Sequence, residues 1–144
     1  MTRLSHAHHV IPGTDPAKAP LILLHGSGGY EHDLVPLAQE LASGSLTVGV
    51  RGTVAIDDGY AFFHRFPDRT IDEADITARI PVLADFIEAA SAHYNFTRAP
   101  IAVGFSNGAI MAAALLLTFP GLFAGAHHRR RERQWGRSGQ KPPW

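Results

Sequence analysis

The sequence contains no cysteine, which excludes disulfide bridges and thiolate metal sites and points to a reducing compartment. It also lacks a long hydrophobic run. The longest, Ala109 to Leu117, falls well short of the roughly 20 residues needed to cross a bilayer. Met1 to Pro12 carries Arg3, His6, His8 and His9 and has no apolar core of a secretory signal. A soluble, cytoplasmic protein without a membrane span is therefore expected. No cofactor is implied, and no metal either: His6, His8 and His9 resemble a metal-binding cluster only loosely, and an edge strand or a terminal arm accounts for them more simply.

Net charge is also missing, since 13 Lys and Arg balance 13 Asp and Glu. The balance conceals an asymmetry: residues 1–126 are mildly acidic, whereas 127–144 concentrate Arg129, Arg130, Arg131, Arg133, Arg137 and Lys141 against Glu132 alone. The acidic body argues against a nucleic-acid surface there. Two segments follow, a folded body over 1–126 and a basic tail over 127–144 that is too polar to offset its ordering entropy by burial. With 144 residues, 45% of them hydrophobic, the body can build one modest core.

What is present centres on Ile101-Ala102-Val103-Gly104-Phe105-Ser106-Asn107-Gly108-Ala109. A short apolar run introduced by Pro100 breaks at a serine flanked by Gly104 and Gly108, then continues as a helix-forming segment to Phe119, stopped by Pro120-Gly121. This is the pattern of a strand, a sharp elbow and a helix. The serine is held in a strained conformation, and the flanking glycines leave no Cβ to collide with the neighbouring chain.

Upstream, His8 to Ile11 reads as an edge strand, and Leu21 to Leu24 as a buried strand that empties into His25-Gly26-Ser27-Gly28-Gly29. Such a turn can close around something small and anionic. A helix capped by Asp33 follows, with Pro36 in its first turn and an apolar face of Leu34, Leu37, Ala38 and Leu41. Thr47 to Val50 is the next strand. Arg51 to Asp68 reads as a long loop whose rings (Tyr60, Phe62, Phe63, Phe66) either wall a pocket or cover the core. Thr70 to Glu73 fits a capping box opening a helix whose face follows Ile76, Ile80, Leu83, Ile87, Ala90 and Tyr94. Pro81 must kink that helix or start a second one.

This alternation predicts an α/β fold with a parallel sheet and helices on both faces. Both glycine-rich turns lie at the carboxyl ends of their strands, where chemistry gathers in such sheets. Together they can supply an oxyanion hole from the backbone N–H groups of Asn107 and Ser27.

At this point the chain resembles the α/β-hydrolase superfamily, and within it the phospholipase and carboxylesterase group that includes acyl-protein thioesterases and dienelactone-hydrolase-like esterases. The residues that carry the resemblance are Leu23 to Gly29, Glu31-His32-Asp33, Val50-Arg51-Gly52 and Gly104 to Ala109. It implies a three-layer fold, Ser106 as nucleophile, Ser27 and Asn107 as oxyanion donors, and a small ester or thioester substrate. It also implies an acid and a histidine on loops well downstream of the nucleophile helix. Here Leu122 to Ala126 reads as the opening of the next strand, and His127 onward departs from the pattern. The sheet is thus expected to be incomplete at its C-terminal side, with an open edge strand, in a product truncated or frameshifted after Ala126.

Among the histidines, His25 is read as structural, His64 could reach the site if its loop folds inward, and His127 and His128 fall partway along a strand. A non-catalytic remnant is the alternative to a serine hydrolase. A third class, a binding module using the basic tail with Trp135 and Trp144 on nucleic acid or an acidic surface, is kept beside them.

Overall fold

The computed structural model describes residues 4–123. The expected tail, the chain from Ala124 into the anticipated strand, and His127 and His128 lie outside them.

Four strands make the main sheet: β1 (His8–Ile11), β2 (Leu21–Leu24), β3 (Thr47–Val50) and β6 (Ile101–Gly104), in the order β1-β3-β2-β6. β2 pairs in parallel with both β3 and β6, while β1 joins β3 antiparallel, so the sheet is mixed rather than wholly parallel. Among the described residues β1 and β6 are the two edges, and Ile101 of β6 is exposed. Side chains of β2 alternate as a strand requires. Leu21 and Leu23 point to one face, under α1 (Val35–Leu41), and join Leu34, Val35 and Ala38. Ile22 and Leu24 point to the other, where they meet Ile80 and Ile87 of α2 (Glu73–His93) and Met111 and Leu115 of α3 (Asn107–Thr118). Helices on both faces make three layers.

Local departures from expectation have local causes. Asp33 does not cap α1. Its carboxylate accepts the Tyr30 N–H at 3.0 Å and closes the turn before the helix. α1 buries the face of Leu34, Val35, Ala38 and Ala42, leaving Leu37 and Leu41 exposed. α2 begins two residues later than a cap at Thr70 would place it, because the Thr70 hydroxyl is engaged by Asp68 at 2.6 Å. Asp72 is the cap, accepting the Asp75 N–H at 3.1 Å. The helix runs unbroken through Pro81, and Ile76, Ile80, Leu83, Ile87 and Ala90 are all buried. Leu122 belongs to a 3-10 turn, Pro120–Leu122, and does not open a strand.

The stretch expected as a loop contains a hairpin, β4 (Val54–Ile56) and β5 (Gly59–Ala61), turning at Asp57-Asp58. Its rings divide: Phe62 and Phe63 are core, Phe66 is exposed, and Tyr60 stands between Arg51 and Tyr30.

The N-terminal histidines are anchored. His8 and His9 lie in β1, and the His8 Nε2 is 2.7 Å from the Tyr94 hydroxyl. His6 is buried against Phe86. Burial, then the positive neighbours His8 and Arg79, push His6 down from 6.5 to about 4. An imidazole that must stay neutral when folded contributes stability above its unfolded value. That contribution is lost as pH falls from 6.5 toward 4, up to about 3 kcal/mol. Denaturant midpoints between pH 7 and 4 should fall for the native chain and fall less for His6→Gln.

Candidate active site at the nucleophile elbow

β2 connects to β3 on one side of itself, and the chain then crosses back to place β6 on the other. The winding reverses between β2 and β6, and the crevice beyond the carboxyl ends of such a strand pair is where open α/β sheets bind ligands. The register aligns Leu24 with Gly104, so the turn after β2 and the elbow after β6 leave the sheet side by side. They are in contact: a Cβ on Gly26 would come within 2.9 Å of the Phe105 ring.

At the elbow Ser106 has φ 53 and ψ −112, a region costly for a residue with a side chain. Its neighbours explain why the strain persists. A Cβ on Gly104 would stand 2.6 Å from the Gly108 carbonyl oxygen, and one on Gly108 only 1.9 Å from that of Leu24. Helix and strand are thus pressed together with Ser106 at the bend. Serine at a helix start ordinarily turns its hydroxyl back to cap the first amides. Here Ser106 makes no such bond, and the residue is exposed. Ser27 lies in the facing turn and is also exposed. Among the described residues neither the Ser27 nor the Asn107 backbone N–H donates to another protein group.

No protein-family model matches the chain. It is 42% identical over 111 residues to the Bacillus subtilis (strain 168) protein MhqD, whose name assigns it to the hydrolases, covering 75% of this chain and 56% of MhqD. The crystal structure of the Bacillus cereus carboxylesterase superposes with a TM-score of 0.75 at 38% identity, over 83% of this chain and 56% of that one. A carboxylesterase from Mesorhizobium loti gives 0.78 at 30% identity, over 85% and 59% respectively. The chain has the α/β-hydrolase fold. It spans rather more than half the length of these relatives.

Within this fold His25 is fully occupied. Its Nδ1 is 2.7 Å from the Gly26 carbonyl oxygen, and its Nε2 accepts the Gly52 N–H at 2.9 Å. One ring nitrogen donates and the other accepts, which fixes the neutral tautomer. Burial lowers its pKa as well. With no nitrogen to spare it is a structural residue, as expected. His64 is exposed, and its backbone N–H donates to Asp75 at 2.7 Å. Among the described residues no histidine ring hydrogen-bonds the Ser106 hydroxyl.

Three features of the site went unread in the sequence. Glu31, buried after the glycine turn, takes a bidentate pair from Arg51 at 2.7 and 2.6 Å, which holds its carboxyl down at about 2. The Arg51 guanidinium also lies 4.6 Å from the centre of the Tyr60 ring. The buried side chain of Asn107 accepts the Phe62 N–H at 2.7 Å. The hairpin that bears Tyr60 has as its signal Asp57-Asp58 and the adjoining Gly59 behind Val54-Ala55-Ile56, turn-forming residues after an apolar run.

Among the described residues no helix is long and apolar enough to cross a membrane, and no group of three His, Cys, Asp or Glu residues could hold a metal ion. A cleft lined by Pro12, Thr14, Lys18, Leu46 and Phe96 opens where the strands begin, at the opposite end from the elbow.

Proposed function

We propose that this chain is a serine hydrolase of small ester or thioester substrates, with Ser106 as nucleophile and the backbone N–H groups of Ser27 and Asn107 as oxyanion donors. The observation that carries the proposal is the strained elbow, which holds an exposed hydroxyl, unused for capping, at the switch point beside the glycine turn. Two amides without protein acceptors fit a pair of donors waiting for a developing negative oxygen. The Ser106 oxygen bonds to the carbonyl carbon, and the π pair moves onto the carbonyl oxygen. The alcohol or thiol then leaves with the proton, and water releases the acid from the acyl-serine.

A base for the hydroxyl and the acid that orients it come, on this proposal, from outside residues 4–123. The 144-residue chain alone is accordingly expected to be an impaired esterase, with turnover far below that of an enzyme holding a complete triad. The test is slow release of chromophore from an activated aryl ester, together with a covalent adduct at Ser106 from a fluorophosphonate, located by mass spectrometry. Both should vanish in Ser106→Ala. A chain that forms no adduct and releases chromophore no faster than Ser106→Ala is the non-catalytic remnant instead.

A further inference from the structure

The two turns of the site belong to segments far apart in sequence, and the β4–β5 hairpin touches both. On one side Tyr60 of β5 forms a two-bond bridge to the glycine turn: the Gly28 N–H donates to its carbonyl at 2.7 Å, and its own N–H donates to Gly29 at 3.0 Å. Two residues on, the chain reaches the elbow, where the Phe62 N–H donates to the Asn107 Oδ1 at 2.7 Å, and the Asn107 Nδ2 is 3.5 Å from the Phe63 carbonyl oxygen. Asn107 is 1% exposed. Bonded to main chain in this way, its amide is sequestered from solvent and substrate alike.

We propose that the Asn107 side chain is a positioning residue that ties the hairpin to the elbow, and that the hairpin in turn sets where the Ser27 amide stands relative to Ser106. The path is continuous: elbow, Asn107 amide, Phe62, Tyr60, Gly28, Ser27. Asn107 would then serve twice, its backbone N–H toward the oxyanion and its side chain in aligning the opposite donor. The inference rests on the hydrolase proposal for its catalytic meaning, but the mechanical coupling can be measured without turnover.

Phe62 leaves the hairpin directly into the core, so its N–H is buried and its acceptor must be supplied from within. Removing that acceptor leaves a donor unsatisfied, and the cheapest relief is for the segment to move away from the elbow. Asp57, at the hairpin tip with φ 48, can turn with it. The bridge to Gly28 would be carried along.

Asn107→Leu keeps the branched shape and removes the acceptor, whereas Asn107→Asp keeps the acceptor. In Asn107→Leu, residue-resolved hydrogen exchange should show the Phe62 and Gly28 amides exchanging about tenfold faster or more, with Leu23 and Val48 unchanged. Residual turnover of an activated aryl ester should lose about tenfold or more in kcat with KM unchanged. Asn107→Asp should restore the exchange protection at Phe62 and Gly28. If Asn107→Leu does not fold, Asn107→Ala admits water to the Phe62 N–H and carries the same measurement. Unchanged exchange at Gly28, or a Phe62 amide no better protected in the Asp variant than in the Leu one, overturns the brace. Turnover insensitive to Ser106→Ala overturns the hydrolase proposal instead, and the exchange data then still decide the coupling.

Discussion

Gly108→Ala should unmake the elbow. The added Cβ would lie 1.9 Å from the Leu24 carbonyl oxygen, 2.5 Å from its carbon and 2.6 Å from the His25 carbonyl oxygen. All three are backbone atoms of β2 or of the turn that leaves it, so no side chain can swing aside. Alanine improves helix propensity by about 1 kcal/mol, but the clash forces α3 off the sheet by an ångström or more. Overpacking of this kind costs about 3 kcal/mol. For a domain of this size that is about 10 °C in Tm. The displaced helix carries Ser106 and the Asn107 amide with it, and an ångström of misplacement costs about a hundredfold in rate. Thermal melts and aryl-ester turnover should both register the loss. Ala109→Ser, one position along and exposed, is the control and should leave both nearly as they were.

That expectation was half legible in the amino-acid order. Gly104 and Gly108 declare an elbow because the chemistry of a strand-to-helix serine demands small neighbours; β2 and β3 declare themselves because strands buried on both faces are largely apolar, and β6 by its short apolar run between Pro100 and the elbow. What was not legible is held by partners distant in sequence or by competition between neighbours. Asn107 was identified through its backbone N–H, but its side chain serves Phe62, 45 positions away, and no local pattern marks such a pairing. Thr70 has the chemistry of a helix cap, yet Asp68 is nearer to its hydroxyl and wins it. The hairpin hid because each strand has three residues, too few for an alternation to stand out. Its existence turns an apparent covering loop into the element that joins the two halves of the site.

Arg51→Met should have the second-largest effect, and its signature lies in the pH dependence. Methionine preserves much of the apolar stem over the Tyr60 ring but removes both hydrogen bonds to Glu31. The carboxylate, 8% exposed, would then be buried without a partner, a situation far worse than the intact pair is good. At neutral pH a loss of about 5 °C in Tm is expected, discounted because Arg51 itself remains a third exposed. The sign of the acid limb follows from Glu31. The Arg51 hydrogen bonds hold its folded value at about 2, below the ordinary 4.5, so the pair contributes stability above 4.5 that is lost as pH falls toward 2. In Arg51→Met that limb should flatten or reverse, since protonation would now relieve the orphaned charge. The upper limb, below 6.5, belongs to the buried His6 and His25, and the His6 share, in which Arg51 has no part, should survive the substitution. Tm measured from pH 7 down to 3 separates the two: a variant that keeps the full native slope below 4.5 would show that Glu31 does not depend on Arg51.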